Sequence, residues 1–511
     1  MILLHMIFSS TTDTQRLYFR GDGIYQQGKM TLSSETCVSF DTYYNAFFYG
    51  TYLQYTQVNH VRLCVRTSGE GVLSLCVLAQ TGEEYVLETV ICDKNNTVVN
   101  FQFCQLKQLP VDGALFLRAR AVGNGLVLHA GWFETERDVQ CCHLVDLAAV
   151  ICTYHREEYV KRTLARVDRE IWSGSSCEIQ STLDFLIVDN GNTFELEKTY
   201  SHVQVFPNKN CGGSGGFARG LLEAMRRHKK YTHVLLMDDD INFEPEILFR
   251  TIQFLKCAEE RERPLCIGGQ MLIEERPTIQ HEAGGMCRKG FLHPNKNGLD
   301  LSDQAALLQN AKTLPSDYQA WWYCCLPVCV VEKYGLPLPF FIKFDDVEYG
   351  LRVRAEIVLM NGIGVWHMGF DKKLSTYLTY YNIRNGLVLS CLHGNGQGMG
   401  RSVYRLVRSA GKALLTGEMR ELAFALKAFR DFLGGVDFFL ETDEESLNSE
   451  LIHEASLPSR RIWAIIPEVF QLTIRLLFHY KQVCRENQRR AGELTSVEFW
   501  RKHLQIEQSV E

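Results

Sequence analysis

Three consecutive aspartates, Asp238-Asp239-Asp240, directly follow the apolar run Val234-Leu235-Leu236-Met237. Carboxylates crowded at the end of a buried strand repel one another, and a divalent cation removes that cost. Hard cations such as Mn2+ and Mg2+ prefer oxygen ligands and bind through one or two carboxylates plus substrate phosphates. Alternate residues of an extended segment point the same way, so Asp238 and Asp240 can share one ion while Asp239 faces elsewhere. A solvated acidic turn is the plainer alternative, and the apolar strand before the triplet favours the metal. A second acidic pair, Asp345-Asp346, opens a helix after the turn Leu336-Pro337-Leu338-Pro339. One of these carboxylates could act as general base toward an acceptor hydroxyl, although helix capping by Asp345 explains the same spacing. His367, within Val365-Trp366-His367-Met368-Gly369, can offer an imidazole to a metal; alone, such a histidine is more often structural.

The stretch Asn208 to Gly220 carries four glycines in the five residues 212–216. Gly212 and Gly213 expose backbone N–H groups, and a helix start just beyond favours anions, which suits a diphosphate. The pattern is neither a P-loop nor the dinucleotide fingerprint. Trp321-Trp322 could stack on a sugar ring or simply fill the core.

These residues need a scaffold that brings them to one edge. Leu147–Thr153, Leu183–Val188, Val203–Phe206 and His233–Met237 read as apolar strands, with helices over about 157–172 and 216–228. Strands alternating with helices imply a largely parallel sheet, whose ligands bind at the carboxyl ends of the strands. Thr153, Arg156, Asp189 and the aspartate triplet all fall there. Before them, residues 1–145 read as an antiparallel β-sandwich or barrel of short strands, with turns at Ser68-Gly69-Glu70-Gly71 and Val122-Gly123-Asn124-Gly125. Residues 146–395 form the α/β unit. Residues 396–511 read as helical, with apolar residues at helical spacing over Tyr404–Leu433 and Arg461–Tyr480 and an acidic linker at Glu441–Glu450 between them.

The 511 residues carry a formal net charge of −6, which argues against a dedicated nucleic-acid partner. The 18 cysteines are scattered, often in apolar runs, and lack zinc-site spacing. Most are expected to be buried free thiols in a reducing compartment. With no signal peptide and no apolar run of about 20 residues to span a bilayer, a cytoplasmic location is expected. Between residues 401 and 430 seven Lys/Arg face two Asp/Glu, which fits peripheral contact with the inner face of an anionic membrane, or else packing or oligomer contact.

The order strand–Thr-Tyr-His-Arg, Val-Asp-Asn-Gly, Asn-x-x-Gly-Gly-Ser-Gly-Gly-Phe-Ala-Arg-Gly, Met-Asp-Asp-Asp, Trp-Trp, Phe-Asp-Asp-Val-Glu-Tyr-Gly-Leu-Arg, Trp-His resembles the family-2 inverting glycosyltransferases of GT-A fold, and among them the bacterial galactofuranosyltransferases. The resemblance spans about residues 150–390, and Ser39–Phe47 is similar to part of their β-sandwich. It implies that Asp238, Asp240 and His367 hold Mn2+ or Mg2+ against the donor diphosphate. Arg156 and Asp189 would lie against uridine, and Thr153, Asp239, Asn210, Gly212 and Gly213 would also contact the nucleotide-sugar. Asp346 would be the base, with Asp345 supporting the acceptor or donor sugar. Trp321 and Trp322 would line the sugar pocket, with His281 and Glu282 touching the acceptor. The implied activity is transfer of galactofuranose from UDP-galactofuranose to a lipid-linked cell-surface glycan by a homo-oligomer. Phe344 stands where those enzymes are expected to have Trp, which keeps UDP-galactopyranose or dTDP-rhamnose open as donors. A non-catalytic glycan-binding protein is the reading from another class.

Overall fold

The computed structural model describes residues 1–9, 11, 13–93, 97–136, 143–173, 179–196, 198–226, 231–288, 291–369, 375–394, 398–457 and 462–506. The doublet Cys141-Cys142 and Arg461, the start of the second expected helix, lie outside them.

The N-terminal sheet is antiparallel and has eleven strands. It is built on two long strands, β1 (His60–Leu78) and β2 (Ala114–Glu134), paired from Ala114↔Leu78 to Glu134↔Arg62. Several short strands with turns at 68–71 and 122–125 were expected here. Both glycine clusters instead lie inside these two strands and bend them at the same height. Gly69 and Gly125 have φ of 98° and 99°, and a Cβ on Gly69 would sit 2.3 Å from Gly125 O. The register slips between Ala121 and Leu126, as expected where a glycine bulge bends a strand without ending it.

The catalytic sheet opens with β3 (Leu147–Thr153), and α1 (Glu157–Val167) follows. Next come β4 (Leu183–Asp189), β5 (Val203–Pro207), α2 (Gly212–Met225), β6 (His233–Asp238), β7 (Asn242–Phe243) and α3 (Glu246–Cys257). Further along, the elements that build the sheet and its acidic edge include β8 (Leu265–Ile273), β9 (Arg276–Glu282), β10 (Cys324–Pro327), α4 (Asp345–Val353) and β11 (Glu356–His367). The strand order is β5-β4-β3-β6-β10-β8-β11-β7, with β9 beside β8. The first four strands are parallel, as their unbroken apolar runs require. β10 runs antiparallel to both neighbours and β8 parallel to β11. This mixed sheet with helices is the GT-A fold.

α2 begins four residues earlier than its expected start near 216, so the glycines form its first turns rather than a turn before it. Packing explains their presence: a Cβ on Gly216 would lie 1.9 Å from Cys152 Sγ, and one on Gly220 2.1 Å from Val150 Cγ1. The helix therefore lies almost on the backbone of β3.

One apolar core joins the N-terminal sheet to a face of the catalytic sheet. Its polar rivets include Tyr43 Oη donating to Gln270 Oε1 at 2.9 Å and Tyr18 Oη to Glu244 Oε1 at 2.6 Å.

The C-terminal region comprises α5 (Leu378–His393), α6 (Met399–Thr416), α7 (Met419–Phe432), α8 (Gly435–Glu441), α9 (Glu444–Ser456), α10 (Ile462–Leu494) and α11 (Val497–His503). The expected continuous helix over 404–433 is broken at Gly417, whose φ is 78°. The acidic stretch 441–450 is not a linker. Asp443 caps α9 by accepting from Ser446 N at 3.1 Å, and its Oδ1 lies 2.8 Å from Lys209 Nζ. Glu444 is buried. Most described cysteines are free and buried, but Cys391 and Cys484 are disulfide-bonded, joining α5 to α10. Among the described residues no helix is long and apolar enough to cross a membrane.

Gly220→Ala should overpack the α2–β3 contact and destabilise the protein by about 1–3 kcal/mol. A lowered urea midpoint tests this; an unchanged midpoint would mean the helix moves away at no cost.

Candidate active site

Parallel pairing brings the strand ends to one edge. Cys152 stands opposite Asp238, and Thr153 opposite Asp189. Beyond β6 the chain turns through Asp239 and Asp240. The triplet divides its partners: Asp239 accepts from Thr153 Oγ1 at 2.9 Å and from Arg156 Nη1 at 3.3 Å. Asp240 accepts from Arg156 Nη1 at 2.5 Å through Oδ2, and its Oδ1 lies 3.1 Å from His367 Nε2. Donor atoms of Asp238, Asp240 and His367 all lie within 4.8 Å of one another. His367 is the last residue of β11, and its Nδ1 sits 2.7 Å from Met368 O. Donation from Nδ1 to that carbonyl turns Nε2 toward the carboxylates.

Burial pushes the Asp238 carboxyl up to about 7. The neighbouring His367 works against that shift, while Asp240, Asp239 and Asp345 add to it. Burial also raises Asp239, with Arg156 opposing. The group therefore holds more negative charge than the protein neutralises. Two carboxylates and an imidazole in this arrangement fit a hard or borderline divalent cation such as Mn2+ or Mg2+.

The second acidic pair faces the same group. Asp345 Oδ2 accepts from Ser214 Oγ at 3.1 Å, in the first turn of α2. Asp346 Oδ1 accepts from Val347 N at 2.8 Å. Burial raises Asp346 well above the usual carboxylate range, with Asp345 and Glu282 adding repulsion. Glu282, buried on β9, is itself pushed up to about 7 by burial and is touched by Tyr318 Oη at 3.4 Å.

The loop before Asp345 is strained. Phe341, Lys343 and Phe344 have φ of 67°, 69° and 69°, a region that costs non-glycine residues about 1–3 kcal/mol each. Helix α5 holds it there. Asn385 Nδ2 donates to Ile342 O at 3.0 Å and Lys343 O at 2.9 Å, and the buried Arg384 guanidinium donates to Phe340 O at 3.0 Å. Phe341 stacks on Tyr381 with centroids 5.8 Å apart, and its carbonyl receives Ser214 N. The second acidic pair and the glycine helix are thereby coupled. The sequence reading missed Ser214, Tyr318, Arg384 and Asn385; Tyr-Asn-Ile-Arg-Asn lies on an apolar helix and shows no motif spacing.

The other residues singled out in the sequence have these partners within the protein. Asp189 spends its carboxylate on Gly191 N at 2.9 Å and Phe194 N at 2.7 Å, closing its own turn. Asn210 Oδ1 accepts from Gly212 N at 3.1 Å, and its Nδ2 faces Glu445. Gly212 has φ of 68° and abuts Phe341 O, whereas a Cβ on Gly213 would lie 3.8 Å from Asp345 Oδ2. Trp321 packs edge-on against Phe217 and Tyr349. Trp322 is core, donating from Nε1 to Gly269 O at 2.9 Å. His281 alternates with Glu282 along β9, and its carbonyl accepts from Asn297.

Comparisons with known proteins say which class of transferase this fold and site resemble. Residues 145–370 match a family described as "Glycosyltransferase like family 2", and residues 10–135 match "Galactofuranosyltransferase 2 N-terminal". The protein is a glycosyltransferase with a family-2-like catalytic domain of GT-A fold. Its likeness is to galactofuranosyltransferases: it is 27% identical to GlfT2 of Mycobacterium tuberculosis over 453 residues, covering 82% of this chain and 68% of that one. GlfT2 of Mycolicibacterium smegmatis is 26% identical, with 84% and 68% covered. Two solved structures overlay loosely. A mannosyltransferase from Pyrobaculum calidifontis with GDP-Man and Mn2+ gives a TM-score of 0.31 at 11% identity, covering 66% of this chain and 88% of that one. GalNAc-T7 with UDP, GalNAc and Mn2+ gives 0.35 at 11% identity, covering 66% and 59%. At those scores neither carries functional weight.

Asn385→Ala should leave the Ile342 and Lys343 carbonyls without their donor, at a cost of about 1–3 kcal/mol. Denaturant titration checks the loss; no change would mean that water or a neighbour replaces the amide.

Proposed function

We propose that this protein is a metal-dependent, inverting galactofuranosyltransferase. It uses Mn2+ or Mg2+ and moves galactofuranose from UDP-galactofuranose to a hydroxyl of a lipid-linked cell-surface glycan. The observation that supports this reading is a group of acidic side chains with a histidine, Asp238, Asp240 and His367, whose Asp238 also feels the charge of Asp345 from the second acidic motif. The Asp345-Asp346 step is fixed to the first turn of α2.

Asp346 serves as base. Burial and repulsion raise its proton affinity toward the range a general base needs near neutrality. It takes the acceptor proton as the acceptor oxygen bonds to the anomeric carbon and the bond from that carbon to the UDP oxygen breaks. One displacement inverts the centre. Asp345, tied to Ser214, keeps the base in register with the glycine helix. Gly213 leaves the space beside Asp345 open for the donor. Arg156, bridging Asp239 and Asp240, orients the carboxylate that faces His367. A bound cation would stabilise the charge on the departing diphosphate. The sugar assignment rests on the likeness to galactofuranosyltransferases, and location at the inner face of a membrane and oligomeric assembly are parts of the same proposal.

UDP release from UDP-galactofuranose with Mn2+ and a galactan-type lipid acceptor tests it. Asp346→Asn should lower kcat by about 10²–10⁴-fold, and Asp240→Ala should abolish Mn2+-dependent turnover. Wild-type turnover only with another nucleotide sugar would overturn the donor assignment, and failure to bind UDP would overturn the nucleotide-sugar reading.

The pH profile gives a separate check on Asp346. Glu282 ionises near 7, and its charge raises Asp346. Glu282→Gln removes that charge, so the Asp346 carboxyl should lose its proton at lower pH. The acidic limb of kcat/KM should move toward acid. A limb that stays put or moves the other way would rule out Asp346 as the group observed.

A further inference from the structure

We propose that Cys211, Glu444 and His503 form a second cation site, for a divalent ion of the zinc class, which clasps the start of α2 to the C-terminal helices. Donor atoms of the three side chains lie within 4.8 Å of one another. They come from three separate segments: the residue preceding α2, the first residue of α9, and the last residue of α11. His503 Nε2 and Glu444 Oε2 are 3.4 Å apart, with side chains 9% and 3% exposed. Cys211 is buried. A tetrahedral zinc ion, with ligands at about 2.0–2.3 Å, spaces its donors about 3.3–3.8 Å apart, so the imidazole and carboxylate already stand at that separation.

The second carboxylate oxygen, Glu444 Oε1, is buried and has no hydrogen-bond partner among the described residues. A His503–Glu444 ion pair alone would account for Oε2 and leave Oε1 and the thiol unexplained; a cation engages all three side chains. The imidazole is held in place. It stacks on Phe499 at 4.9 Å and meets Trp500 edge-on at 5.7 Å, while Trp500 Nε1 donates to Pro337 O at 2.9 Å. Gly215 makes room, since a Cβ there would lie 2.3 Å from Cys211 Cβ.

The ligand types select the ion. Thiolate with imidazole and carboxylate suits zinc, whereas Mg2+ and Mn2+ favour all-oxygen or oxygen-rich sets such as the Asp238 group. Binding converts the Cys211 thiol to thiolate, with its proton passing to solvent. Three protein ligands leave a fourth position for water. The proposal is independent of the catalytic reading, because no residue is shared.

The test uses full-length protein freed of metal by chelation and titrated with Co2+. One equivalent should give a thiolate-to-cobalt charge-transfer band that Zn2+ abolishes by displacement. Asp240→Ala should keep the band, because the Asp238 group has no sulfur. Cys211→Ser should lose it, and His503→Gln should bind Co2+ about tenfold or more weakly. No band in the wild type, or a full band in folded Cys211→Ser, overturns the site. Should Cys211→Ser not fold, a band of unchanged strength and affinity in both His503→Gln and Glu444→Gln overturns it equally.

Discussion

The structure depends on a concentration of carboxylates that the protein does not neutralise alone. Asp238, Asp239, Asp240, Asp345, Asp346 and Glu282 crowd the carboxyl ends of a sheet whose interior is apolar. Burial raises every one of these groups for which a shift is resolved. Arg156 supplies positive charge to one side, and Thr153 and Ser214 supply hydroxyl donors. What remains is an excess of negative charge suited to a divalent cation. Stability is given up locally to hold such an excess, and the large apolar core shared by the two β-rich parts offsets it.

The Asp345-Asp346 pair is held by a rigid link, the strained loop over 340–344. Three non-glycine residues with positive φ would relax if left alone. Asn385 and Arg384 prevent this by satisfying the carbonyls of Phe340, Ile342 and Lys343, and Phe341 is pinned on Tyr381. The guanidinium of Arg384 is itself enclosed by Tyr380, Tyr381, Phe438 and Phe439, where aromatic faces partly replace lost hydration. Helix α5 and the helices behind it therefore set the position of the Asp345-Asp346 pair.

The α/β part was legible in the sequence because its strands are buried on both faces. A run such as Leu183–Val188 has no polar residue beyond its second position, so its end, and the polar residues placed there, stand out. The N-terminal strands were misjudged because glycine signals a bend as readily as a turn, and only the pairing of Gly69 against Gly125 distinguishes the two. The acidic stretch 441–450 was misread for a related reason. Composition reports charge but not the partners, and Lys209 and His503, which engage Asp443 and Glu444, are distant in the chain. Trp322 and Asp189 show the limit for single residues. An indole donating to Gly269 and a carboxylate closing its own turn are matters of direction, which residue type does not carry.

Direction also bears on the substitution at position 344. Phe344 packs partly buried beside Val347 and Leu389, and a Cβ on Gly386 would come within 3.9 Å of its ring. Its side chain thus leans on α5, on the same helix face that delivers Asn385 to the strained loop. Phe344 thereby joins the loop that carries Asp345 and Asp346 to α5. In this chain the identity of residue 344 therefore acts on the placement of the acidic pair, through the fit of the loop to α5. Phe344, where the resemblance implies Trp, is then part of how Asp345 and Asp346 are seated.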